Sequence, residues 1–128
     1  MQPSPSATVL NWLSRASENG QLYVTTITMA EILSGIELLP RGKRRDRMQI
    51  EARAVFAEDF LGRILPFDEE AARAFAQIAA ARRARGRPIA ELDAQIAAIA
   101  RSRNATLATR NTADFENCGI RLSDPWQS

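Results

Sequence analysis

Four residues scattered through the 128-residue chain have the types needed for an acid site: Glu31, Asp93, Asn111 and Asp114. Asp93 draws attention first, because in "PIAELDAQIAAIARSRN" (residues 88–104) it sits among isoleucines and alanines. At about 100° per residue, Ile89, Leu92, Ile96, Ile99 and Ala100 share one arc that contains Asp93, while Glu91, Gln95 and Arg101 fall outside it. A carboxylate on the apolar side of a helix costs stability unless it is paired or holds a cation.

The absence of histidine narrows the chemistry further. Ser-His-Asp and Cys-His nucleophilic catalysis, His-ligated zinc and a histidine general base are all excluded. The single cysteine, Cys118, has no partner for an internal disulfide, and a cytosolic location is the expectation that follows. Catalysis then falls to carboxylates, hydroxyls, Lys/Arg or a bound ion. Two carboxylates about 4 Å apart repel by about 4 kcal/mol at an effective dielectric near 20, so a cluster of them needs a cation or shared protons. Oxygen ligands without His or usable Cys select a hard ion, Mg2+ or Mn2+. A water activated by such an ion attacks phosphorus. The net charge is only +2, yet basic residues bunch in "RGKRRDR" at 41–47 and "RRARGR" at 82–87, where they could track phosphates or serve simply as solvated helix ends. Hydrolysis of a phosphodiester fits acids and basic flanks together.

The elements that must position these residues alternate along the chain. Ser4 as N-cap and Pro5 at the first helical position open a helix through Val9, Leu10, Trp12 and Leu13 that stops at Gly20. "LYVTTI" (22–27) reads as a buried strand, and 28–39 as a helix ended by Pro40. A long helix over about 43–62, a strand at "RILPF", a helix capped by Asp68 and running to about 85, the Asp93 helix, and strands at "ATLATR" (105–110) and "IRLS" (120–123) complete the order. Strands alternating with helices imply one domain with a parallel sheet covered on both faces. No apolar run approaches the ~18 residues of a membrane span, and no cleavable leader is recognised.

In such sheets ligands bind at the carboxyl ends of the strands. Glu31 would lie in the first turn after "LYVTTI", Asn111 and Asp114 just after "ATLATR", and Asp93 in the first two turns of the helix leading into that strand. Each also has a purely structural explanation. Thr28 and Glu31 have the spacing of a capping box, Asn111 with Asp114 could be an N-cap pair, and Asp93 could meet a core arginine.

The blocks "TTITMAEILSGIELLPRGKR", "GRILPFDEEAARAFAQI" and "IAELDAQIAAIARSRNATLATRNTADFENCGIRLSDPW" resemble, in that order, the PIN-domain toxins of the VapC type, FitB-like branch. The resemblance covers nearly the whole chain. It implies a three-layer PIN-like fold, a Mg2+-dependent endoribonuclease toxin of a type II toxin-antitoxin system, a cognate antitoxin, an RNA substrate, a homodimer and a bacterial cytoplasmic location. Glu31, Asp93 and Asp114 match the family's catalytic and metal-ligating acids, and Asn111 matches a position that is Asp or Asn among members. Arg41, Lys43, Arg44, Arg45, Arg82, Arg83, Arg85, Arg87 and Arg110 become candidate RNA contacts. Members of this group begin with a short central strand that ends in a ligand aspartate, whereas this chain starts at Met1-Gln2-Pro3. The expectation is therefore a domain over 1–128 without its usual central strand, with unpaired backbone and a gap in the core. Three explanations stay open: a start further upstream, a truncated copy that cuts nothing, or a gap filled by another segment or subunit. The alternative function is accordingly an inactive PIN-like module that binds an antitoxin, a sister subunit or RNA.

Overall fold

The structure is a computed structural model and describes residues 7–108, 115 and 120–123; the expected Ser4 cap and Pro5 lie outside them. Helix α1 (Ala7–Ala16) buries Leu10, Trp12, Leu13 and Ala16. Strand β1 (Leu22–Thr25) follows, and its alternation decides the architecture. Leu22 and Val24 point into one apolar core, built from α1 and the helices that follow β1, while Tyr23 packs into a second core on the other face. Ile64 and Leu65 of β2 (Ile64–Leu65) divide between the same two cores.

Helix α2 (Thr26–Glu37) begins directly where β1 ends. Thr25 is its N-cap: the extended Thr25 backbone (φ −111°, ψ 158°) lets its hydroxyl oxygen accept the Thr28 backbone N–H at 3.1 Å. The helix thus starts two residues before the expected Thr28, because the strand gives out at Thr25. Helix α3 (Lys43–Ala54) then runs into a π-helical turn, Val55–Asp59, in place of one regular helix to 62. Phe60 N–H bonds to Val55 O at 2.9 Å, and the widened turn lets Val55, Phe56 and Phe60 all enter the first core.

Asp68 caps α4 (Glu69–Ala84) as expected, its carboxylate accepting Ala71 N–H at 3.0 Å. Helix α5 (Glu91–Arg103) stops at Asn104, which takes the left-handed conformation (φ 52°). Strands β3 (Thr106–Ala108) and β4 (Arg121–Ser123) finish the sheet, whose order is β2-β1-β3-β4 with every pairing parallel. The expected gap beside β1 is closed: β1 pairs β3 directly, with Leu22 opposite Thr106 and Tyr23 opposite Leu107. Helices α4 and α5 cover the second face through Ala71, Ala74, Ile78 and Ile96–Ala100. A three-layer α/β arrangement with helices on both faces is what the alternating pattern required.

Arg63, which the sequence pattern did not single out, fastens the opposite edge. Its guanidinium donates to Ser17 O (2.9 Å), Asn19 O (3.0 Å), Leu22 O (2.8 Å) and Asp59 O (2.7 Å), and lies 5.0 Å from the Phe60 ring centroid. Among the described residues, no helix is long and apolar enough to cross a membrane.

Candidate functional site

Three features of the backbone converge on the carboxyl edge of the sheet. The parallel register sets the ends of β1 and β3 side by side, α2 departs from the end of β1, and α5 leans against α2 there. Glu31 comes from α2 and Asp93 from the first turn of α5. Asp93 is half-buried and close enough to Glu31 that its charge, after burial itself, pushes the Glu31 carboxyl above its ordinary 4.5. One oxygen of Glu31, Oε2, is enclosed without any hydrogen-bond donor.

That orphaned oxygen decides between the readings of Glu31. In a capping box the glutamate accepts a backbone N–H at its own cap. Here the cap is Thr25, the position three residues on is Thr28, and Glu31 lies beyond the first turn with Oε2 unsatisfied. The capping-box alternative is therefore set aside. Asp93 occupies the first helical turn of α5, where the N-terminal partial charge favours an anion. The single apolar arc expected for α5 needs correction: Leu92 is 39% exposed, whereas Ala94, Ala97 and Ala98 are buried with Ile96, Ile99 and Ala100. Lying between α4 and the sheet, α5 is enclosed on more than one side, and its first turn projects to the edge.

Asn111, Asp114 and Arg110 lie outside the described residues, so the structure brings together two of the four expected site residues. Phe115, one position after Asp114, is buried against the α4–α5 core. Among the described residues, no group of three His, Cys, Asp or Glu assembles. The described pair nevertheless suits a divalent cation: two mutually repelling carboxylates, one with an enclosed oxygen that lacks a donor, form an all-oxygen set that a hard ion would stabilise.

The basic residues divide into two groups. Arg45 is engaged, pairing with Glu37 at 3.0 Å beside the Gln49 amide at 3.1 Å, and Arg45 holds the Glu37 carboxyl below its usual range. Arg41, Lys43 and Arg44 are exposed at the start of α3. Arg82, Arg83, Arg85 and Arg87 gather where α4 turns into α5. The two helices pack together antiparallel: a short turn joins them at one end, and an Arg103–Asp68 ion pair joins the end of α5 to the start of α4 at the other. The arginine turn is thus at the Asp93 end of the pair. On another face, α2, α3 and the π turn enclose a groove of about 620 Å³ lined by Met29, Leu33, Ile36, Ala52, Phe56 and Ala57, with Glu37, Gln49 and Arg53.

A short parallel sheet between two helical layers, with acids at its carboxyl edge, places the chain in a known class. It belongs to the PIN domain family, which matches residues 3–119. Among curated relatives it is 36% identical to VapC ribonuclease Y4jK of Sinorhizobium fredii over 96% of this chain and 87% of that protein. It is 35% identical to Toxin FitB of Neisseria gonorrhoeae over 98% of this chain and 90% of that one. The crystal structure of FitAcB from the same organism superposes with a TM-score of 0.77 at 35% identity, covering 99% of this chain and 91% of that one. The VapC-type resemblance and the PIN fold read from the sequence both stand.

Proposed function

We propose that this protein is an endoribonuclease toxin of a toxin-antitoxin pair, acting in the bacterial cytoplasm and hydrolysing RNA phosphodiesters with Mg2+ or Mn2+ held by Glu31, Asp93 and Asp114. Asn111 stands as a further candidate ligand. The single observation that carries the reading is the Glu31–Asp93 pair, an enclosed and electrostatically strained acid site at the ligand edge of a PIN domain. Relatives named as a ribonuclease and as a toxin, alike over most of both chains, support the same substrate class.

The residues divide the work by their environments. Asp93 sits in the first turn of α5, where the partial charge of the helix N-terminus favours an anion. Glu31, desolvated and repelled by Asp93, holds its proton more tightly until a cation offsets that repulsion. When bound, the ion supplies Lewis acidity to the phosphate and acidifies a water. Arginines of the α4–α5 turn, at the Asp93 end of the helix pair, hold the phosphate chain in place. An antitoxin partner and a sister subunit complete the proposal; the exposed apolar groove between α2 and α3 supports a protein partner.

Incubation of the protein with RNA tests this reading. Cleavage should require Mg2+ or Mn2+, stop with a chelator, and vanish in Asp93→Asn. Independently of activity, Mg2+ should raise Tm of the parent but not of Asp93→Asn. Cleavage that survives both the chelator and Asp93→Asn, or no Mg2+ effect on the parent's Tm, would sink the proposal.

A further inference from the structure

We infer that the turn joining α4 to α5 is a preformed grip for RNA phosphates, with Arg83 and Arg85 making the contacts; the inference rests on the ribonuclease reading above. Four arginines fall within residues 82–87, and the next acid along the chain is Glu91, in the first turn of α5. The turn that carries them is built rather than loose. Gly86 takes φ 71°, its N–H bonds to Arg83 O at 3.0 Å, and Arg87 N–H bonds to Arg82 O at 3.0 Å. These are the two reciprocal bonds of a Schellman termination, which uses carbonyls that a helix end otherwise leaves unsatisfied. A third bond locks the turn sideways, as Arg82 Nε donates to Arg87 O at 2.8 Å.

Arg82 and Arg87 thereby serve as the frame. Arg83 and Arg85 stand exposed on it. A guanidinium fork matches phosphate oxygens, and a rigid base reduces the ordering entropy lost on binding. The turn lies at the Asp93 end of the antiparallel pair, and Asp93 follows Arg87 by only six residues, a reach of at most about 20 Å along the chain. A strand cut at Glu31 and Asp93 would therefore pass this turn. The start of α3 is the weaker candidate, because its Arg45 is already committed to Glu37 and Asp46 lies within the run.

The test measures affinity for a single-stranded RNA against salt concentration, with a chelator present to suppress cleavage. In Arg83→Gln/Arg85→Gln the slope of log K against log salt should become shallower by about 1.4, two contacts at about 0.7 each. Tm should not change. Arg73→Gln/Arg101→Gln removes the same charge from exposed positions elsewhere on the same helices and should keep the parent slope. An unaltered slope in the first variant, or an equal loss in the second, would overturn the grip. If the first variant instead lost binding to a partner protein and kept its RNA slope, that too would overturn it. Failure of the parent to bind or cut any RNA strikes the ribonuclease reading itself, which separates the two failures.

Discussion

Replacing Glu31 by Gln should stabilise the metal-free protein at neutral pH, against the usual direction for a point substitution. In the folded state Glu31 has one enclosed oxygen without a donor and a second carboxylate, Asp93, acting on it. An enclosed, unsatisfied polar group costs on the order of 1–3 kcal/mol, and more when charged. Because Glu31 is only half-buried, solvent screens part of that cost, leaving a gain of about 1 kcal/mol for the variant. For a chain of this size that is a rise in Tm of about 3–5 °C. The pH dependence provides the stricter check. A carboxyl raised above its ordinary 4.5 penalises the fold once it ionises, so the parent's stability is fully present below that value and declines as pH rises through the folded-state value. The gain from Gln should therefore be largest near neutrality and disappear at about pH 4. Thermal melts in a chelator, at a series of pH values, measure it. A variant less stable than the parent at neutral pH, or a difference that does not shrink on acidification, would refute the reasoning. Saturating Mg2+ should reverse the order, since the parent keeps a ligand that Gln lacks.

Two further perturbations address the scaffold. Arg63→Ala removes donors from Ser17, Asn19, Leu22 and Asp59 carbonyls at once, and should cost about 3 kcal/mol in urea unfolding; a loss below about 1 kcal/mol would mean that water replaces the guanidinium freely. Asp68 has its carboxyl held below the ordinary range first by Ala71 N–H and also by Arg103, so its contribution is present above 3.8 and is lost as pH falls through its folded-state value. Acid titration should accordingly weaken the parent at the start of α4, and Asp68→Asn, which keeps a capping oxygen, should flatten that part of the profile; an unchanged profile would contradict the assignment.

The alternating strands and helices were legible because period-2 and period-3.6 patterns need no knowledge of the partner element. What failed were features set by that partner. "TTITMAEI" contains both Thr25-x-x-Thr28 and Thr28-x-x-Glu31, and either threonine could cap on sequence grounds. Pairing decided it, because Thr25 is opposite Leu65 at the last rung of β1, and the helix starts at the next residue. The Leu92 arc failed for a related reason: a one-sided arc presumes one buried side, and α5 has both α4 and the sheet against it. Arg63 was invisible because its carbonyl partners at Ser17, Asn19 and Leu22 are 41 to 46 residues away, and backbone oxygens leave no mark on residue type.

The candidate acids stood out in the sequence for a physical reason. Caps, cores and strand faces are optimised for stability, so their residue types follow local periodicity and are ambiguous wherever two elements compete. An acid kept for something other than packing violates local periodicity, and Asp93 did so in a helix otherwise rich in Ile and Ala. The same conflict bears on where the candidate site lies: Glu31 and Asp93 come from helices whose cores lie on opposite faces of the sheet, and α2 and α5 are in contact. Bringing the two acids together costs stability in the apo state, because the Asp93 charge adds to the burial of Glu31. On the function proposed above a cation would turn this cost into binding energy, so stability of the apo protein and affinity for Mg2+ should move in opposite directions across substitutions at positions 31 and 93.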